Sequence, residues 1–306
     1  MSSLRTIPFM RIRKPMAIAS LLVVLAGVVA LFSQGLNLGL DFTGGTSAEL
    51  HFAEPVTQQQ VSDAFAKDGY NDVIVQHLGN LREVVVRMPP QAGHETNISA
   101  DILKTANFDA ANPATLRQID SVGSQIGDEM YAQAMLAIGL SLLLMMVYVG
   151  FRFRMKFAVG AFLSLVHDVL FVVGIFAILG LPFDLTVLAA VLALIGYSLN
   201  DTIVVFDRIR ENFRKLRKAD PVEIVDISLT ETLRRTIMTT GTVVVVVVAL
   251  IWLGGPALHW FSVALMIGLF AGTYSSIYIA TTYALAMGLD KTDFIVEPKP
   301  EVDEMP

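Results

Sequence analysis

The sequence predicts an α-helical polytopic membrane protein with six transmembrane helices and a small α+β domain between the first and the second. Three observations carry that prediction. Apolar residues make up 54% of the chain and charged residues only 16%, where a soluble chain carries about a quarter charged residues. The apolar residues gather in six runs, against the roughly 20 residues that one bilayer crossing needs. Between the first two runs the pattern switches to short alternating strands and amphipathic helices.

The elements follow in order. Residues 1–14 form a basic N-terminus with Arg5, Arg11, Arg13 and Lys14, and 15–33 form the first span, apolar from Pro15 to Phe32. Those cations resemble the n-region of a signal peptide. The apolar run exceeds the usual h-region of about 7–15 residues and no A-x-A site follows, so the segment reads as an uncleaved anchor. Residues 34–130 form the α+β domain. Thr46–Ala53 reads as a strand, and Thr57–Lys67 as a helix with Thr57 at its N-cap. Asp72–Leu78 and Arg82–Met88 read as strands, with burial on both faces expected around Val84, Val85 and Val86. Gly79 and Asn80 fit a two-residue hairpin turn, and Pro89, Pro90 and Gly93 mark a loop. Ile98–Ala106 reads as a second helix and Ala114–Ser121 as a last strand. The order β-α-β-β-α-β is that of a ferredoxin-like domain.

Residues 131–206 hold the second to fourth spans: Tyr131–Phe151, Phe157–Leu181 and Leu185–Phe206. Residues 207–235 read as a loop, 236–287 as the last two spans (Thr236–Leu253 and Trp260–Met287), and 288–306 as an acidic tail with its carboxylates from Glu297 to Glu304. The run Val243–Val248 suits a strand by propensity, but its length and apolar neighbours favour a span. The sixth span is over-long, which a tilt or an extension past the interface accommodates.

Orientation follows from the short loops. Arg152, Arg154 and Lys156 join the second span to the third. Arg208, Arg210, Arg214, Lys215, Arg217, Lys218, Arg234 and Arg235 lie between the fourth and fifth. The alternate loops, 182–184 and 254–259, hold no Lys or Arg. The positive-inside rule then puts both termini in the cytoplasm and residues 34–130 outside.

Composition also narrows function. The net charge is −6 and no basic tract with interleaved aromatics occurs, so nucleic acid is not an expected partner. Cysteine is absent, which removes disulfides, thiolate nucleophiles and Cys-based metal sites. The five histidines lack H-x-x-x-H spacing, so neither metal nor cofactor is expected. The glycine-rich stretch Gly39–Gly45 lacks the Lys-Ser/Thr of a phosphate loop. No enzymatic activity is expected.

Asp201 is the only charge in Leu185–Phe206. A carboxylate inside a span costs about 2.5–3.5 kcal/mol even on insertion scales, so proton or ion handling is the leading interpretation, against a purely structural packing contact. Asp201 sits roughly 8 Å inside the cytoplasmic end of its helix. Arg235 opens the antiparallel fifth span, and its long side chain could reach that depth. Burial disfavours the charged carboxylate and a nearby guanidinium favours it, so withdrawal of Arg235 would promote protonation. Arg235 reads equally as a topogenic interface charge like Arg234. Asp168 is a second intramembrane acid, roughly 8 Å deeper than Asp201. Its neighbour His167 points to a different helix face, so the two are not an obvious relay pair. Around these acids lie Gly196, Tyr197, Ser198, Asn200 and Thr202, and across from them Thr236, Thr239, Thr240, Gly241 and Thr242. Such residues permit close helix approach and offer hydroxyls to a water chain.

The run from Gly196 through Asn212, GYSLNDTIVVFDRIREN, resembles the signature of the SecF branch of the SecD/SecF protein-export family. Gly39–Gly45 after the first span, Val122 and Gly123 through Gly127 before the second, His167 and Asp168 in the third, and Arg235 with Thr236 in the fifth fit the same family. Leu199 and Ile203 replace other aliphatics. The resemblance covers nearly the whole chain. It implies a six-span bundle related to half of a resistance-nodulation-division exporter, in the bacterial cytoplasmic (inner) membrane, with 34–130 as a periplasmic domain. It implies partnership with SecD, the SecYEG channel and the preprotein, and indirectly with SecA and YajC. The implied activity uses the proton motive force to promote preprotein translocation and release. The family's proton-pathway aspartate falls on Asp201 and its arginine on Arg235. Two other readings remain open: a half-size proton-coupled exporter of small molecules and a passive assembly subunit. An intramembrane aspartyl protease using the two aspartates is disfavoured by their depth offset of roughly 8 Å and by the absence of a Gly-x-Gly-Asp context.

Overall fold

The computed structural model of the chain describes residues 6–70, 72–78, 80–89, 98–216 and 218–294. A 3-10 turn, Phe9–Ile12, leads into α1 (Arg13–Ser33). Then come β1 (Asn37–Leu38), α2 (Leu40–Thr43), β2 (Gly45–Phe52), α3 (Gln58–Lys67), β3 (Ile74–His77), β4 (Glu83–Met88), α4 (Ile98–Ala106) and β5 (Ala114–Val122). The long helices α5 (Ser124–Arg152) and α6 (Met155–Leu179) follow, then β6 (Pro182–Phe183), α7 (Leu185–Lys215) and α8 (Pro221–Leu253). The last span is α9 (Gly255–Ser275), a π-helical turn Ser276–Ala280 and α10 (Thr281–Ala286), and a 3-10 turn Lys291–Phe294 closes the described chain. Six helical segments are long and apolar enough to cross a membrane, and the Val243–Val248 run is helical within α8.

The α+β domain has the expected ferredoxin-like order. Its strands lie β3-β4-β2-β5, every neighbour antiparallel. Helices α3 and α4 cover one face. Val61, Phe65, Ile102 and Ala106 pack there on Ala48, Leu50, Phe52, Val84, Val86 and Met88. Burying each large apolar side chain contributes about 1.5–3 kcal/mol. Thr57 caps α3 in a full capping box with Gln60. Two details differ from the sequence reading. The strand β4 alternates, with Val84 and Val86 buried and Val85 only half-buried, because helices cover a single face of the sheet. The β3–β4 connection is longer than two residues. Pairing ends near Leu78 N–H to the Glu83 carbonyl at 2.8 Å, and Asn80 Oδ1 accepts from the N–H groups of Arg82 and Glu83. Gly79 lies outside the described residues, as do Arg5, Pro90, Gly93, Arg217 and the tail from Glu297 to Glu304.

Within the bundle α6, α7 and the α9–α10 span are the inner helices. At least half of each crossing window is buried (50%, 56% and 50%), against 17%, 11% and 17% for α1, α5 and α8. Lipid gives no hydrophobic drive between helices, so close approach at small residues does the packing. At the α1–α6 crossing a Cβ on Gly27 would lie 2.7 Å from the Gly174 Cα. The segment 207–235 is mostly helix rather than loop: α7 runs to Lys215, α8 begins at Pro221, and Asp220 caps it through the Val222 N–H.

The domain is seated on the bundle by the glycine stretch. Gly44 and Gly45 have φ of +67° and +114°, a region that favours glycine. A Cβ on Gly45 would meet the Met88 carbonyl oxygen at 2.2 Å, and one on Gly127 would meet the Gly44 nitrogen at 2.7 Å. The strands β1 and β6 pair in parallel, and Asp41 Oδ2 accepts from the Leu185 N–H at the start of α7.

Candidate functional site

Asp184 accepts from the Val187 N–H and starts α7. The apolar run that follows turns Ser198, Asp201, Thr202 and Val205 into the bundle. Asp201 is 3% exposed, and its Oδ2 has no hydrogen-bond partner. The groups of α8 that act on it are Arg235, by charge, and Thr239, by its hydroxyl. Thr239 Oγ1 also lies 3.0 Å from the Arg235 and Thr236 carbonyls of its own helix. Arg235 is itself exposed. Among the described residues no ion pair within 4 Å joins it to Asp201. The pairing read from the sequence is therefore electrostatic proximity, without a contact salt bridge.

Asp168, on α6 and 1% exposed, is fully partnered. Its Oδ2 accepts from Ser198 Oγ of α7 at 2.5 Å and from Ser275 Oγ of α9 at 2.8 Å. Its Oδ1 faces His167 Nδ1 at 3.0 Å. His167 Nε2 meets Ser20 Oγ of α1 at 2.5 Å, and Ser164 Oγ donates to Ser275 Oγ at 2.9 Å. Hydrogen-bonded groups thus run from α1 through α6 to α7 and α9. With the imidazole neutral, Nδ1–H donates to Asp168 and Nε2 accepts from Ser20. With it protonated, both nitrogens donate. His167 and Asp168, expected from the helix to diverge and not to form a relay pair, instead bond to each other. Gly272 makes room, since its Cβ position lies 3.0 Å from Ser198 Cβ, so α9 comes close enough for Ser275 to reach Asp168.

Ser198 and Asp201 lie three residues apart on one face of α7, roughly 4.5 Å along the axis. Asp168 and Asp201 therefore occupy successive levels of one polar seam. No hydrogen bond joins the two carboxylates among the described residues, so they do not form a shared-proton dyad. Beside the seam, Tyr197 OH donates to Thr240 Oγ1 at 3.3 Å, Thr240 meets Thr273 at 3.1 Å, and Thr202 donates to the Ser198 carbonyl at 3.2 Å. Thr236 is buried. Asn200 is exposed, away from both acids. Ser20, Ser164 and Ser275 were missed by sequence reasoning, because single serines in spans are common and these three sit on three different helices.

A family model described as Protein export membrane protein SecD/SecF, C-terminal, matches residues 102–290, and one described as SecD/SecF GG Motif matches residues 29–56. The protein translocase subunit SecF of Pseudomonas aeruginosa is 47% identical over 98% of this chain and 98% of its own length. That of Vibrio alginolyticus is 42% identical over 99% of this chain and 98% of its own length. The crystal structure of SecDF from Thermus thermophilus superposes with a TM-score of 0.84 at 34% identity, covering 92% of this chain. This chain spans 39% of that longer chain.

Proposed function

The chain belongs to the SecD/SecF family of protein-export membrane proteins, and from that premise we propose that it couples the proton motive force to preprotein translocation as the partner of SecD. Its role in Sec-associated protein export follows from the family. The finer reading adds the SecYEG channel as the path of the preprotein, with SecA and YajC as indirect partners. It takes residues 34–130 as periplasmic and both termini as cytoplasmic. The observation that carries the reading is Asp201: an enclosed carboxylate with one oxygen unpartnered, facing a cation it does not bond. An unmet oxygen in a low-dielectric site is a place for a proton to bind and leave. Arg235, which acts on it by charge without a contact ion pair, favours the charged state, and its movement would bias the exchange. Asp168, with His167, Ser198 and Ser275, offers a hydrogen-bonded continuation deeper in the bundle.

The test is proton-driven export into inverted membrane vesicles holding equal amounts of each variant. Asp201→Asn keeps the shape and removes titration. It is expected to insert and bind SecD normally and to lose the stimulation by the proton gradient. Arg235→Ala should impair stimulation about as strongly, and the double variant should be little worse, because both act on one equilibrium. Arg235→Lys should be intermediate, Arg234→Ala near normal and Asp168→Asn milder than Asp201→Asn. Full stimulation in Asp201→Asn would rule out the titrating role. Sidedness is checked separately by single cysteines at Glu54 and Lys218. They should label from opposite sides of the membrane, and labelling from one side would overturn the orientation.

A further inference from the structure

At the end of the bundle away from the α+β domain, α5, α6 and α7 enclose a cavity of about 260 Å³ lined by Arg152, Arg154, Arg210 and Arg214. Phe153, Phe157 and Phe294 also line it, and Asp293 is its one acidic lining residue. We propose that this cavity binds the phosphate of an anionic phospholipid headgroup.

The charges inside it are not all spent. Arg152 donates to Asp207 at 2.9 Å. Arg154 lies 3.6 Å from Asp293, whose nearer partner is Lys156 at 2.8 Å. Burial pushes the Asp293 carboxyl up, but the Lys156 hydrogen bond, with the Asp290 N–H and the Arg154 charge, holds it below its ordinary value. That carboxylate is therefore ionised near neutral pH and already satisfied. Arg210 and Arg214 form no ion pair within 4 Å among the described residues. They stand one turn apart on one face of α7 and also line the adjoining cavity with Asp207, Glu211 and Lys215. Two guanidinium groups at this spacing present planar donor forks suited to phosphate oxygens. The aromatic lining, with Phe157 and Phe294 ring centroids 5.9 Å apart, lowers the local dielectric and so strengthens the attraction.

The surroundings select a lipid over a free anion. Phe151 is 90% exposed and Met155 70% exposed, and they flank Arg152 and Arg154 in the sequence. An apolar rim that faces lipid therefore adjoins the cationic pocket. A ligand with acyl chains and a phosphate satisfies both, whereas inorganic phosphate satisfies only one. Basic pockets at the ends of membrane helices are suited to such headgroups.

The experiment uses the full-length protein, delipidated in detergent and mixed with phosphatidylglycerol or phosphatidylcholine, with bound lipid counted by native mass spectrometry. The wild type is expected to retain about ten-fold more phosphatidylglycerol, equivalent to about 1.4 kcal/mol. Arg210→Gln/Arg214→Gln should fall to the phosphatidylcholine level. Arg214→Gln alone, at an exposed side chain, should lose about three-fold and covers the case in which the double variant does not fold. Lys67→Gln/Lys104→Gln, on the α+β domain, should behave as wild type. Equal retention of both lipids by the wild type, or undiminished retention in Arg214→Gln and the double variant, overturns the proposal. Displacement of the lipid by millimolar inorganic phosphate would assign the pocket to a free anion instead. Raised retention in a chain ending at Val296 would assign it to the acidic tail.

Discussion

Ser198 shows how much one hydroxyl can matter inside the bundle. It is 1% exposed and donates to Asp168, which is itself enclosed. Removing one donor leaves a carboxylate lone pair unmet away from water, at a cost of about 1–3 kcal/mol. Ser198→Ala is therefore expected to lower the thermal midpoint in detergent by roughly 2–4 °C for each kcal/mol lost. Thr242→Ala is the control, since its exposed side chain donates only to its own helix, at the Thr239 carbonyl, and no shift is expected. Equal midpoints for Ser198→Ala and wild type would mean that Ser275 and His167 satisfy Asp168 without it. The two aspartates themselves were legible in the sequence, because a lone charge in an apolar run stands out. The partnership of His167 with Asp168 was not. Adjacent helical residues diverge by about 100°, and only the rotamers, set by Ser20 and Ser198, bring them back.

The helices show the same division between what pattern reveals and what it hides. All six spans were readable from hydropathy, since each needs a long apolar run. The extensions of α7 and α8 past their apolar runs were not, because their charged residues look like a loop to any hydropathy reading. The Asp220–Pro221 pair was the available signal, an N-cap followed by proline at the first helical position. The α1–α6 crossing is set by Gly27 and Gly174, and a Cβ on Gly174 would lie 2.8 Å from the Gly27 Cα. Backbone cannot yield as a side-chain tip does, so Gly174→Ala should push α1 off α6, at a cost of about 1–3 kcal/mol. It should also loosen the Ser20–His167 contact, since Ser20 rides on α1. Gly139→Ala, on α5 with open space around it, should be neutral or stabilising by about 0.5–1 kcal/mol. Thermal unfolding of the two variants beside wild type checks the argument, and a Gly174→Ala midpoint matching that of Gly139→Ala would refute it.

At the scale of the molecule, the α+β domain and the helix that carries Asp201 share one junction. The domain's fold was legible from strand and helix periodicity, because each of its elements is long enough to show its own period. Its seat was not, since it depends on Asn37 and Leu38 pairing with Pro182 and Phe183, far along the chain and too short to show a period. Arg87 on β4 completes that seat. Burial pulls its guanidinium below its ordinary value, while the carboxylates of Asp184 and Asp41 act to keep it charged. Asp184 and Asp41 are also the groups that accept from the first N–H groups of α7. One arginine of the domain therefore acts on both capping carboxylates of the helix that bears Asp201. Among the described residues no hydrogen bond or ion pair within 4 Å joins it to either carboxylate, so the attraction is one of charge, and its Nη1 is buried without a hydrogen-bond partner. Arg87→Gln keeps a polar side chain and removes that charge. Loss of about 1 kcal/mol corresponds to roughly five-fold in an opening equilibrium. Amide exchange at residues 37–43 and 183–187 should accordingly quicken about five-fold. Exchange in β2, β4 and β5 should stay slow, because the core of Leu50, Phe52, Val84 and Val86 is untouched. If exchange rises equally in the sheet, Arg87 supports the domain's own fold. If it rises nowhere, the glycine stretch and the β1–β6 pairing hold the seat without it.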